Sequence, residues 1–219
     1  MSISENLKKI KSALPESVTL VAISKTRSKE ELLEAYDAGH RVFGENKIQE
    51  MTEKWEDLPK DIEWHMVGRV QRNKVKYMAP YVHLIHAVDS LKLLKEIEKE
   101  AAKNDRLINC LLQIKIAEED SKNGITIDEA KDILFSDAYL KMKHVKITGL
   151  MGMATLTESE TKIREEFSYL RASFDALVGE VPSLKILSMG MSGDYNLALD
   201  CGSNMVRIGS AIFGERNYN

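Results

Sequence analysis

Short apolar runs return at near-regular intervals along this chain, each followed by a longer amphipathic stretch. The apolar runs fall at 18–24, 41–44, 62–67, 82–87, 108–116, 147–151, 185–189 and 205–208. Several are short and rich in Val and Ile, as strands covered on both faces of a parallel sheet are. The stretches at 29–38, 46–56, 73–79, 91–103, 128–136, 160–178 and 194–199 read as helices, and 4–14 reads as a helix ahead of the first strand. Eight βα units in 219 residues predict an α/β fold, a single (β/α)8 TIM barrel over residues 1–219 with an extra N-terminal helix. A doubly wound open sheet is the alternative, but no G-x-G-x-x-G follows the first strand, so a dinucleotide fold has no support.

Local signals agree with this alternation. Ser28 with Glu31, and Thr126 with Glu129, have the spacing of capping boxes at helix starts. Pro59, Pro80 and Pro182 fall near segment ends, where proline is tolerated. The net charge of −3 offers no basic face to nucleic acid or to an anionic membrane. No stretch approaches the roughly 18 apolar residues of a membrane span, and the N-terminus has no apolar signal core. Cys110 and Cys201 give neither a disulfide framework nor metal-ligand spacing; Cys110 reads as a buried thiol, and no metal is expected. A cytoplasmic monomer is the expectation.

In a barrel of this kind the chemistry lies at the C-terminal ends of the strands, and the loops after the seventh and eighth often hold phosphate. Three features fall there. Lys25 closes the first apolar run. Burial lowers a lysine pKa, and a neutral amine attacks an aldehyde to form a Schiff base; the plainer reading is an ammonium that reaches solvent. Ser188-Met189-Gly190-Met191-Ser192-Gly193-Asp194 offers N–H groups and hydroxyls to an anion, with Asp194 also placed to cap the next helix. In Val206-Arg207-Ile208-Gly209-Ser210, Val206 and Ile208 face one side of the strand and Arg207 and Gly209 the other. Gly209 lets backbone approach a ligand, Ser210 starts a short helix, and Arg207 can donate to a ring nitrogen or a phosphate, or form a structural salt bridge. An imine-forming amine, a phosphate cradle and a cation on one face suit a phosphorylated aldehyde cofactor.

At these residues the chain resembles the pyridoxal phosphate homeostasis proteins, single-domain relatives of the alanine racemase barrel. The matching runs are Val21-Ala22-Ile23-Ser24-Lys25-Thr26, Phe43-Gly44-Glu45-Asn46 with Gln49-Glu50, and Trp64-His65-Met66-Val67-Gly68 with Gln71 and Asn73-Lys74. They continue through Gly149-Leu150-Met151, Leu187-Ser188-Met189-Gly190-Met191-Ser192, Val206-Arg207-Ile208-Gly209 and Ile212-Phe213-Gly214. The resemblance implies that pyridoxal 5′-phosphate is held as a Schiff base on Lys25. It implies Ser192, Gly209 and Ser210 at the phosphate, Arg207 at the pyridine nitrogen, Asn46 and Met189 around the ring, and His65 nearby. Arg69, Val70 and Arg72 depart from the family pattern in the segment after the third strand.

The resemblance leaves two functions to separate: a cofactor carrier acting in intracellular homeostasis, and a pyridoxal phosphate-dependent amino-acid racemase. Related two-base racemases complete their site with a second domain, and the chain ends about ten residues after the eighth strand. An arginine at the pyridine nitrogen leaves that nitrogen unprotonated and weakens the ring as an electron sink. Tyr77, Tyr81, Tyr195 and Tyr218 are candidate bases but read as core or surface aromatics. The carrier, with no catalytic residue assigned and the small molecule as its partner, is the expected function.

Overall fold

In a computed structural model, which describes residues 2–117 and 123–215, the apolar runs become eight parallel strands. They are β1 (Thr19–Ile23), β2 (Val42–Glu45), β3 (Glu63–Met66), β4 (Leu84–Val88), β5 (Ile108–Gln113), β6 (Val145–Met151), β7 (Ile186–Ser188) and β8 (Met205–Ile208). Each pairs with the next, and β8 returns to β1 with Thr19 opposite Met205 and Ala22 opposite Ile208, which closes the barrel. The expected TIM-barrel-like α/β fold is therefore the observed one.

The helices are α1 (Ile3–Ala13), α2 (Lys29–Asp37), α3 (Ile48–Asp57), α4 (Val75–Met78), α5 (Leu91–Lys103), α6 (Ile127–Leu134), α7 (Asp137–Leu140), α8 (Glu160–Val178), α9 (Tyr195–Asp200) and α10 (Ser210–Phe213). Capping boxes start α2 and α6 at Ser28 and Thr126, as their spacing predicts, and a third starts α1 at Ser2 with Glu5. Helix α1 makes its main contacts with other helices. It packs beside α2 and α10, burying Leu7 and Ile10, with Asn6 donating to the Ile212 carbonyl at 3.0 Å.

Strand alternation builds two cores. Leu20, Ala22, Phe43, Trp64, Met66, Leu150, Leu187, Val206 and Ile208 face outward and pack in the layer under the helices. Val21, Leu84, Leu111, Met151 and Met205 pack together inside the barrel. At about 25 cal/mol per Å² of apolar surface, burial in these two layers is the main favourable contribution to folding.

Several boundaries differ from the sequence expectation. The run 108–116 stops being strand at Gln113. Beyond it Ile114 makes only an isolated bridge to Ile125, and Lys115 N–H donates to the Ile125 carbonyl at 2.9 Å. Ile114 and Ile116 are apolar because this loop packs on the core, and periodicity does not separate a packed loop from a strand. The predicted helix at 46–56 begins two residues later because Asn46 continues out of β2. Residues 73–79 are split into a 3-10 turn, Arg72–Lys74, and α4. Helix α7 was not expected; Ser136 caps it, accepting from Tyr139 N–H at 3.2 Å. Among the described residues no helix is long and apolar enough to cross a membrane.

Candidate functional site

The predicted site residues gather mostly at one end of the barrel, where β1, β2, β7 and β8 finish. Lys25 follows β1, two residues beyond Ile23, and is partly buried. The Ile23 backbone lies against Gly209: a Cβ added at Gly209 would sit 3.2 Å from the Ile23 carbonyl oxygen and 3.3 Å from its Cβ. The β1–β8 pairing thus brings the lysine and the glycine of two distant motifs to neighbouring positions.

The β7 and β8 loops are tied to each other. Arg207 N–H donates to the Gly190 carbonyl at 2.9 Å, and Gly209 N–H donates to Ser192 Oγ at 3.3 Å. Gly190 has φ +98°, and a Cβ there would come within 2.7 Å of the Ala198 Cβ, so the turn requires glycine. Asp194 precedes α9 but makes no capping bond to it; its carboxylate instead accepts from Met191 N–H at 2.5 Å, which curls the loop on itself. Ser210 starts α10 and is exposed.

Arg207 points into the barrel and is almost fully buried. Its Nη1 donates to Ser188 Oγ at 2.6 Å and its Nη2 to the Gly152 carbonyl at 2.9 Å. Burial lowers its pKa to about 10, against the pull of the Asp194 carboxylate, so the guanidinium stays charged at neutral pH. Among the described residues it is in no salt bridge, so the structural ion-pair reading is not what holds it. Ser188 Oγ lies 3.2 Å from His86 Nδ1, and His86 Nε2 lies 3.0 Å from His65 Nδ1. Burial depresses both histidines, His65 to about 3, so both are neutral and pass one hydrogen bond along the chain. A polar wire, Arg207–Ser188–His86–His65, therefore crosses the barrel interior.

The remaining predicted residues are placed less uniformly. Asn46 lies exposed beyond β2, its backbone and Oδ1 pressed against Gly68. His65 sits inside β3, level with Gly44, below the rim rather than on it. The Met189 side chain is fully buried in the outer apolar layer with Leu187, on the opposite face of the chain from Ser188. Arg69 and Arg72 are exposed. Tyr81 is buried and its Oη lies 2.9 Å from Thr52 Oγ1, Tyr77 is exposed, Tyr195 starts α9, and Tyr218 lies outside the described residues. Cys110 is buried and free, its thiol pushed up by burial.

A second network went unread in the sequence. Lys54 on α3 is buried, its Nζ donating to the Ser24 carbonyl at 2.8 Å, Glu45 Oε1 at 2.8 Å and Glu50 Oε1 at 2.7 Å. Ser24 Oγ donates to Glu45 Oε1 at 2.7 Å, and Thr26 N–H donates to Glu50 Oε1 at 2.5 Å. Thr26 has φ +64°, a left-handed conformation that costs a β-branched residue energy, so the network holds the backbone on both sides of Lys25. Burial raises the Glu45 pKa while Lys54 opposes it. His86 was also missed as a site residue, and Ser188, read as offering its hydroxyl to an anion, instead meets Arg207 and His86. The available signal was a polar residue at an inward position within an apolar strand.

Together these features define a class: a closed (β/α)8 barrel whose polar residues converge at the strand C-termini around a buried arginine from β8. The model of the family described as alanine racemase, N-terminal domain, matches residues 1–217. The chain belongs to this family and, within it, to the pyridoxal phosphate homeostasis proteins. The pyridoxal phosphate homeostasis protein of Aquifex aeolicus is 39% identical over 201 residues, 91% of this chain and 87% of that protein. That of Helicobacter pylori (strain ATCC 700392 / 26695) is 40% identical over 202 residues, 90% of this chain and 88% of its own. Among solved structures, PipY of Synechococcus elongatus PCC7942 with pyridoxal phosphate bound superposes with a TM-score of 0.88 at 33% identity, covering 97% of this chain and all of PipY.

Proposed function

We propose that this chain binds pyridoxal 5′-phosphate and acts in its intracellular homeostasis. The observation that carries the reading is the joined β1–β7–β8 rim, where Gly209 N–H meets Ser192 Oγ, Gly209 packs on Ile23, and Arg207 is held charged beneath them. The fit rests on two features of this chain. The Gly209 N–H and the Ser192 hydroxyl meet at the mouth where a phosphate needs donors, and the buried arginine offers a fixed donor to a ring nitrogen.

When bound, the group supplies an aldehyde that condenses with an amine and a ring that withdraws electrons. Lys25 supplies the imine-forming amine. Ser192, Gly209 and Ser210 bind the phosphate, Arg207 orients the ring through its nitrogen, and Asn46 lines the ring edge. Met189 acts through its backbone, and His65 acts at a distance, through His86 and Ser188 on Arg207. The Glu45–Lys54–Glu50 cluster positions the Lys25 backbone.

Arg207 carries its proton at neutral pH and only donates, so it does not protonate the ring nitrogen. Strong carbanion chemistry is disfavoured for that reason, and the family model's racemase name is not by itself an activity. We read the protein as a carrier without robust turnover rather than a racemase. The expected monomer is kept as part of this reading, since a single chain pairs all eight strands of the barrel; sedimentation of the loaded protein checks it.

The decisive experiment is the visible spectrum of purified protein after addition of pyridoxal phosphate. The wild type shows an imine band that Lys25→Ala lacks; a band retained by the variant excludes Lys25 as the anchor. Sustained racemisation of L-alanine or another amino acid by the loaded wild type overturns the carrier reading.

A further inference from the structure

The far end of the polar wire opens onto a cluster of which the cofactor reading uses only His65. Glu63 is the first residue of β3, and His83 immediately precedes β4. Both therefore lie at the N-terminal end of the barrel, away from the rim. One ring nitrogen each from His65 and His83 and one carboxylate oxygen from Glu63 lie within 4.8 Å of one another. The His65 and His83 rings face each other at 5.6 Å with an 8° interplanar angle. His65 is buried, and its Nε2 has no hydrogen-bond partner among the described residues.

We propose that Glu63, His65 and His83 form a binding site for a divalent transition metal of the zinc class at this end of the barrel. Two imidazoles and a carboxylate are a donor set that zinc accepts, with a fourth position left to water. Bonds of about 2.0–2.1 Å to a tetrahedral ion require donor atoms roughly 3.4 Å apart, closer than the observed spread. The side chains of His83 and Glu63 are 49% and 47% exposed, so both can move to close it, while His65 is the fixed member.

The wire suits His65 to this role. A metal at Nε2 leaves the proton on Nδ1, which then donates to His86 Nε2 across 3.0 Å. His86 Nδ1–H in turn donates to Ser188 Oγ, whose second lone pair still accepts from Arg207 Nη1. Every bond of the wire survives, and the ligand gains the outer hydrogen bond that orients metal-binding histidines. Without a metal, His65 Nε2 is a buried polar atom with no partner among the described residues, and buried polar atoms in native structures are mostly hydrogen-bonded. Glu63 and His65 stand two residues apart on β3, but His83 joins them only through the pairing of β3 with β4, so sequence spacing alone does not announce the set.

The test is zinc binding to tag-free, cofactor-loaded protein by isothermal titration. Cobalt(II) substitution then reads the coordination through its visible d–d bands. The expected result is one ion per chain, with affinity reduced about tenfold or more in His83→Ala and in Glu63→Gln. In His144→Ala, which removes the separate His144–Glu98 pair at 3.1 Å, binding is unchanged. Far-UV circular dichroism confirms that these half-exposed substitutions leave the fold intact. No zinc uptake by the wild type, uptake indifferent to His83→Ala and Glu63→Gln, or uptake lost equally in His144→Ala overturns the site.

Discussion

Lys54 has its ammonium among three oxygen acceptors, the Ser24 carbonyl and the carboxylates of Glu45 and Glu50, with almost none of its side chain in water. Removing one member of a buried ion pair leaves the other charge without compensation, which costs about 3–5 kcal/mol. Lys54→Met is expected to lower stability by that amount in urea unfolding at pH 7. Burial already raises the Glu45 pKa and Lys54 holds it down, so the variant pushes it higher still. The deficit should shrink as pH falls and Glu45 takes up a proton. A double variant, Glu45→Gln with Lys54→Met, should recover much of the loss. Equal destabilisation of the single and double variants would show that packing, not charge, dominates at this position. The Thr26 conformation depends on the same cluster, so the single variant should also weaken the visible band attributed to Lys25.

At the scale of elements, the weak link is β7, only three residues long and paired to β8 through a single register pair, Ser188 with Met205. Its other edge depends on β6, where Gly149 lies opposite Ile186. A Cβ at Gly149 would fall 1.9 Å from the Ile186 carbonyl oxygen, an overlap that only backbone movement relieves. Gly149→Ala is therefore expected to cost about 3 kcal/mol or more, the upper range for an overpacked site. Because β7 carries Ser188 and leads into the 190–194 loop, the same change should weaken cofactor binding. An unaltered denaturant midpoint would mean that β6 and β7 separate without penalty.

For the whole molecule, acid sensitivity follows from histidines buried in neutral form. His40 lies in the turn between α2 and β2, donating from Nε2 to the Val42 carbonyl at 2.8 Å, and burial lowers its pKa to about 4. In the unfolded chain it titrates near 6.5. Below that pH the unfolded state binds the proton first, so stability is fully present above about 6.5 and falls as pH drops toward 4. Each such group contributes a slope of about 1.4 kcal/mol per pH unit across the window. His40→Gln should flatten the stability–pH curve between pH 6.5 and 4 by about one proton's worth, measured by denaturant unfolding at several pH values. Parallel curves for variant and wild type would exclude His40 as a contributor.

The sequence by itself determined what depends on near neighbours along the chain. The alternation of apolar runs specified eight strands and their order, and the serine and threonine caps specified where α2 and α6 begin. The two-residue period put Arg207 and Gly209 on the face opposite Val206 and Ile208. Only the tertiary structure decided which side chains meet across the barrel. Arg207, Ser188, His86 and His65 come from β8, β7, β4 and β3, and they join because barrel closure and strand register set their heights along the axis. Register also shifts between Ile85 and Val88, within the strand that carries His86. The burial of Lys54 was equally hidden, since a lysine on an amphipathic helix reads as solvated until the strand beneath presents carboxylates to it. Local periodicity encodes which face a residue takes, whereas contact across a closed sheet is a property of all eight strands together.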